Sequence, residues 1–242
     1  MATLPASAQK ELLARIYHLH GKWTDGMQLA CARGCSSCCT QSVTMTSLEG
    51  EVILGYLRDQ NRLPELARIL AARKPSRFNA LTTNAFAEFC LHGREPEGTV
   101  HEEWDFTPCP FLHEHSCSIY PVRPFGCRAF VSYVNCAVTG SAEVAPLVLT
   151  VNTVYTQLIE HLAQGQYWGK MLDILAGYQQ DEGNDKKNDG NRSLRRARPL
   201  PGLIVCEEEK NAVQAILERF MAGEVFGEPI RSILGIEEAL QR

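Results

Sequence analysis

A chain of 242 residues that is 45% hydrophobic, with a formal net charge of -4, can bury a core of its own without metal or disulfide staples. This balance excludes nucleic acid as the main partner, and no apolar run approaches the length needed to cross a bilayer. The stretch Met1–Lys10 lacks the basic start and apolar run of a secretory signal, so the expected compartment is the cytoplasm; ten cysteines there read as thiols or metal ligands, not disulfides.

Leu12, Ile16 and Leu19, following Ser7, predict an amphipathic helix. A second helix is predicted by Leu48, Val52, Ile53, Tyr56 and Leu57, opened by a capping box with Thr46 as N-cap and Glu49 at the third helical position. Pro64 suits the first turn of a helix carrying Leu66, Ile69 and Leu70, and a further helix is expected from about Ser76 to Leu91. Between Gly93 and Phe130 periodicity fades, and Pro96, Pro108, Pro110, Pro121 and Pro124 interrupt any long helix. Ala129–Val134 and Pro146–Thr150 have strand-like composition, each short enough to be an extended connector.

Val151, Val154, Tyr155, Leu158 and Leu162, then Met171, Ile174, Leu175 and Tyr178, make two helical stripes that read as core. Residues 180–201 carry few bulky apolar side chains and are expected to form a mobile linker or excursion. Val213, Ile216, Leu217 and Phe220, followed by Ile230, Ile233 and Leu234, suggest two closing helices. The organisation expected is a cysteine-cluster domain over 1–179, the linker over 180–201, and C-terminal helices over 202–242 packing on the same domain. The expected fold class is mainly α, a helical domain with an irregular cysteine-rich metal-binding loop region.

Eight of the ten cysteines fall in two bursts, Cys31, Cys35, Cys38 and Cys39, then Cys109, Cys117, Cys127 and Cys136. Thiolates are soft, anionic ligands suited to zinc, copper(I) and iron–sulfur clusters, and such grouping points to a metal. The Cys31-x3-Cys35-x2-Cys38 spacing matches that of radical S-adenosylmethionine enzymes, but Ser37 stands where those have an aromatic residue and no α/β-barrel pattern follows.

The CxxxCxxCC block at Cys31–Cys39, followed by Cys109-Pro-Phe-Leu, Cys117-Ser-Ile-Tyr, Arg123-Pro and Cys127-Arg-Ala-Phe, resembles the YkgJ-type cysteine-cluster family, described as zinc- or iron-chelating. The resemblance spans about Cys31 to Phe130. It implies that Cys31, Cys35, Cys38, Cys39, Cys109, Cys117 and Cys127 bind metal, with Arg123 and Arg128 as companions. Cys136 lies just beyond and is added on spacing and even count.

One structural zinc takes four ligands, so seven or eight thiols require two sites, or one cluster plus functional thiols. Adjacent Cys38 and Cys39 tend to point apart, which favours two centres or a polynuclear cluster. Cys109-Pro110 is similar to the proline after the last cysteine of ferredoxin-type runs, and an iron–sulfur cluster is favoured over zinc. Arg123 and Arg128 flank Cys127 and would offset the negative charge of a thiolate site as cofactor-binding residues; the plainer alternative is a helix cap or a surface ion pair.

Other residues read as less specific. His113 and His115 could complete a mixed site but sit in a polar stretch resembling an exposed turn. Cys90, beside Phe86 and Phe89, reads as a small buried thiol, and Cys206 stands alone. His18 and His20 would complement the dipole at the end of the first helix. Glu102, Glu103, Trp104, Asp105 and Phe106 would line a cleft or shield the cluster, and the Arg192–Arg198 run reads as solvated linker or a contact for an acidic partner.

The expected function is a metal-binding cysteine-cluster protein holding an iron–sulfur cluster or zinc, in redox or metal handling, with another protein or redox carrier as partner. One alternative is a metal-dependent enzyme such as a protein lysine methyltransferase similar to flagellin lysine methylase, although no glycine-rich nucleotide loop is visible. The other is a structural zinc module for protein interaction.

Overall fold

The first apolar stripe folds as a long helix, α1 (Ala6–Asp25), which buries Leu12, Leu13 and Ile16 along one face. The structure is a computed structural model and describes residues 4–74, 80–95, 105–180, 193–236 and 240. A short strand, β1 (Thr44–Thr46), runs straight into α2 (Ser47–Asp59). The expected capping box forms at that junction: the Thr46 N–H donates to Glu49 Oε2 at 2.8 Å, and the Glu49 N–H donates to Thr46 Oγ1 at 3.3 Å. Next comes α3 (Leu63–Ala72), with Pro64 in its first turn.

The helix expected from about Ser76 is α4 (Thr83–Leu91). Residues 75–79 lie outside the described residues, and α4 starts late because Thr82 caps it, its Oγ1 accepting the Ala85 N–H at 3.2 Å. The region of faded periodicity holds a two-residue-per-strand hairpin, β2 (Leu112–His113) and β3 (Ser116–Cys117), then two short helices, α5 (Phe125–Ala129) and α6 (Cys136–Thr139).

Pro146–Thr150, strand-like in composition, is instead the first turn of α7 (Pro146–Leu162), because Pro146 occupies a position where a missing N–H costs nothing. After it, β4 (Tyr167–Lys170) leads into α8 (Met171–Gln180). β4 pairs antiparallel with β1, Thr46 opposite Trp168, and on its other side with β5 (Arg195–Arg196). The chain closes with α9 (Lys210–Met221), a small β6–β7 hairpin (Glu224–Val225 and Glu228–Pro229) and α10 (Ile230–Leu234). With ten α-helices and short strands among the described residues, the fold is mainly α.

Two apolar cores result. One gathers α1, α7, α9 and α10 around Ile16, Tyr155, Leu158, Phe220 and Leu234. The other gathers α2, α3 and α8 around Ile53, Leu66 and Leu175, with Phe111 and Ile119 from the irregular region and Cys109 and Cys117 packed on its margin. Residues 193–200, within the stretch read as linker, are seated: Ser193, Leu194, Ala197 and Leu200 are buried, and the Arg198 N–H donates to the buried Glu160 at 2.8 Å. That segment therefore packs where a solvated arginine run was expected, while Arg192 lies outside the described residues. Among the described residues no helix is long and apolar enough to cross a membrane.

Candidate metal centre

The two cysteine bursts are joined by backbone pairing. Ala30 N–H donates to the Ser132 carbonyl at 2.8 Å, which ties the start of the first burst to the stretch leading into Cys136. Gly34, at φ +99°, lets the loop fold back, and Cys35 and Cys39 each close a tight turn through N–H bonds to Ala32 and Ser36, both 3.0 Å. Thr40 then bridges Pro108, and Cys109 N–H donates to the Cys39 carbonyl at 2.9 Å. The Cys109 carbonyl accepts the Leu112 N–H at 3.0 Å, and Leu112 pairs with Cys117 across the hairpin, whose tip is Glu114–His115 with φ of 46° and 63°. Cys127 is supplied by α5, which approaches β1 closely: a Cβ at Gly126 would lie 3.1 Å from the Thr44 carbonyl oxygen.

These connections bring Cys31, Cys35, Cys38, Cys39, Cys109, Cys117 and Cys127 onto one cavity of about 390 Å³, together with Arg123, Arg128, Tyr17 and His20. Cys136 does not line it; at the start of α6 its thiol donates to the Val134 carbonyl at 3.8 Å. Cys35 and Cys38 are exposed, whereas the other six of the eight are half-buried.

The thiols sense one another. The hydrogen bond from Cys38 to Cys39 pushes the Cys38 thiol well above its ordinary range and pulls Cys39 below it. Burial raises Cys127 strongly and Cys109 to about 11, with neighbouring thiolates adding to both. Burial also raises Cys31, reinforced by Cys35, Cys38 and Cys136. Burial and neighbouring sulfurs thus favour the protonated form at Cys31, Cys38, Cys109 and Cys127, while the hydrogen bond from Cys38 favours the thiolate at Cys39.

Two arginines provide positive charge. The Arg123 guanidinium lies 4.0 Å from the Tyr120 ring centroid, and its buried Nε has no hydrogen-bond partner. Arg128 lies 4.3 Å from the Tyr17 ring centroid, held there by bonds from Nε and Nη2 to the Arg123 and Pro121 carbonyls at 3.0 and 2.9 Å. Beneath them, Glu49 accepts the Tyr17 hydroxyl at 2.8 Å and the Phe125 N–H at 2.7 Å, which joins α1, α2 and α5 below the cavity. The donor set fits a thiolate-bound group: the sulfurs are soft, they face one space, and an orphaned guanidinium N–H stands beside them to meet negative charge. Among the described residues no three His, Cys, Asp or Glu side chains are already grouped as one metal ion requires.

His20 is the site residue that sequence reading misplaced. α1 runs on to Asp25, so His20 is not at a helix end; it is buried, its Nε2 sits 2.8 Å from Asn152 Oδ1, and its ring meets Phe125 edge-on at 4.8 Å. His115 also lines the cavity and pairs with Ser36 Oγ at 2.9 Å, whereas His113 points away toward Glu65 at 3.6 Å. Cys90 is exposed, not packed as expected, because α4 turns Ala85 and Ala87 inward instead; Cys206 is exposed too. Phe106 is 78% exposed and borders an open groove with Ser36, Cys39 and His115, and Asp105 is fixed to Ser42, its N–H donating to Oγ at 2.6 Å. Glu102, Glu103 and Trp104 lie outside the described residues.

Burial lowers His20 and His161 below the ordinary imidazole value of 6.5. Below 6.5 the unfolded chain therefore binds more protons than the fold, so stability is full above that pH and falls as pH drops toward the lowered folded values. Burial raises Glu160 from 4.5, which pulls the opposite way. The expected result is a urea midpoint that declines between pH 7.5 and 5.5, with a shallower decline in His20→Gln; equal slopes would remove His20 from the effect.

Compared with known proteins, the chain matches no family model, no curated protein and no solved structure.

Proposed function

We propose that this chain is a metal-binding cysteine-cluster protein that holds an iron–sulfur cluster, or zinc, in redox or metal handling within the cytoplasm, with another protein as its partner. The observation that carries the reading is the placement of seven thiols, from two bursts far apart in the chain, on one cavity. Resemblance to the YkgJ-type cysteine-cluster family, through CxxxCxxCC and the later motifs, supports the same reading. The cysteines of both bursts would hold the group, and Arg123 and Arg128 would offset its negative charge. A bound iron–sulfur cluster supplies one-electron chemistry, whereas zinc supplies structure or Lewis acidity.

Protein purified anaerobically is expected to be coloured, to contain iron and acid-labile sulfide in fixed stoichiometry, and to bleach reversibly with dithionite. Colourless protein carrying zinc would overturn the iron–sulfur half and leave the zinc reading, with a structural interaction module as its simplest form. Protein with neither metal would overturn the whole. A second reading, a metal-dependent enzyme such as a protein lysine methyltransferase similar to flagellin lysine methylase, draws on the cavity itself, which at about 390 Å³ is within the usual range for a small-molecule site. Calorimetry with S-adenosylmethionine tests it, and absence of binding removes it.

A further inference from the structure

We infer that the wall of the cavity formed by α1 is a second subsite, one that binds a small organic carboxylate, with its anionic end on the guanidiniums of Arg123 and Arg128 and its apolar body along Gly21. The inference rests on the metal-thiolate reading for what fills the thiol-bearing side of the same cavity, and goes beyond it by naming a ligand that is not a metal.

Tyr17, His20, Gly21 and Thr24 all line the cavity. Their spacing puts them on one face of α1, whose earlier turns bury Leu12, Leu13 and Ile16. At Gly21 that face is bare backbone: a Cβ there would meet no atom within 4 Å. Glycine inside a helix is less favourable than alanine, and nothing in the chain crowds this one, so packing does not call for it. Gly50 in α2 is different, with Ile174 Cγ2 only 3.0 Å from such a Cβ, and Gly55, as open as Gly21, does not line the cavity. The space that glycine keeps at position 21 therefore serves a molecule that comes close to the helix backbone. Thr24 Oγ1 donates to the His20 and Gly21 carbonyls at 3.1 and 3.0 Å, so the backbone there is already satisfied and suits an apolar body.

The arginines supply the complementary charge. Each guanidinium lies on a tyrosine ring, Arg123 4.0 Å from the Tyr120 centroid and Arg128 4.3 Å from that of Tyr17. Stacking occupies the face of a guanidinium and leaves its in-plane N–H groups, the fork that matches a carboxylate, to other acceptors. Arg128 donates through Nε and Nη2 to the Arg123 and Pro121 carbonyls, whereas Arg123 Nε has no partner. Among the described residues neither arginine forms an ion pair. The acidic groups of the region do not take their place: Glu49 is saturated from below by Tyr17, Phe125 and Thr46, and Asp25 stands at the far end of α1, about two turns beyond Tyr17. His20 adds no charge, because it is buried and its Nε2 hydrogen goes to Asn152 Oδ1, the Asn152 amide nitrogen being held by the Ala129 carbonyl.

The test uses para-fluorobenzoate on reduced full-length protein free of metal, read by fluorine magnetic resonance, with para-fluorobenzamide as its uncharged isostere. The carboxylate is expected to saturate one site per chain, and the amide to bind about tenfold more weakly because it cannot meet the guanidiniums as an anion. Gly21→Leu, which favours the helix but fills the space, should weaken the carboxylate about tenfold while the urea midpoint is kept or raised. Arg123→Gln should weaken the carboxylate and leave the amide as it was. No saturable binding, equal binding of carboxylate and amide, or full affinity in Gly21→Leu would overturn the subsite, and the comparison of the two probes needs no variant to fold. Cobalt(II) uptake by the same protein, followed by thiolate-to-cobalt absorbance, separates the two readings. Cobalt uptake without benzoate binding would overturn the subsite and leave the metal reading, whereas benzoate binding without cobalt uptake would overturn the metal reading and leave the carboxylate on α1.

Discussion

Glu49→Ala is expected to lower the unfolding free energy by about 4 kcal/mol, the scale for leaving a buried charged network without its acceptor. The carboxylate is 3% exposed and every group facing it is a donor: Tyr17 Oη and the Phe125 N–H on Oε1, the Thr46 N–H and hydroxyl on Oε2. Alanine removes the capping box, empties the space between α1, α2 and α5, and strands those donors away from water. Glu49→Gln is expected to recover only part of the loss, at about 2 kcal/mol below the parent, because its amide nitrogen cannot accept the donors that met the second oxygen. Urea denaturation with an unchanged m-value checks both, and a Gln variant as stable as the parent would show that the bonds matter less than the volume. Because the Phe125 N–H hangs on this carboxylate two residues before Cys127, the Ala variant should also expose Cys127 to alkylation.

Phe111→Ala is expected to cost about 4 kcal/mol, the range for deleting a fully buried aromatic side chain. Phe111 sits between Cys109 and the hairpin, its ring in the second core and its carbonyl accepting the Ser118 N–H at 2.8 Å. Losing the ring leaves a cavity directly behind the two half-buried thiols, so Cys109 and Cys117 should react faster with an alkylating reagent while Cys31 and Cys35 keep their rates. Phe111→Leu, which conserves much of the volume, should cost about 1 kcal/mol and leave the thiol pattern unchanged. Cys109 and Cys117 alkylating in the Ala variant at the parent's rates would mean that the ring does not anchor the hairpin.

Much of the helical frame was legible because it is written in local signals. Thr46 and Glu49 form their capping box, Pro64 stands in a first turn, and the stripe from Val151 to Leu162 is core. The sheet was not legible: β1 has three residues, too few for alternation to register, and its partner β4 is found only after the chain has come back by way of α7. The seating of Leu194, Ala197 and Leu200 was hidden by charged neighbours, whose side chains leave the backbone free to pack against β4 and Glu160. At the candidate site, the cysteines announced themselves by grouping and the two arginines came only with the resemblance and their place beside Cys127; the cavity collects seven of the eight thiols and both guanidiniums. His20 did not, because its position depends on how far α1 continues and on Asn152, a residue of α7 remote in sequence.

The helix α2 has a consequence for how the molecule comes apart. Its 13 residues extend about 20 Å, and it gives Leu48 to the core of α1 and α7 but Ile53 and Leu57 to the core of α3 and α8. Neither core can loosen its grip on that helix without stripping apolar surface from the other. The carboxylate of Glu49 and the cysteine cavity lie beside the same junction, so the place where chemistry is expected is also the hinge pin of the architecture. Two cores that share a rod in this way are expected to melt together, with one urea midpoint by near- and far-ultraviolet circular dichroism although the interior is divided.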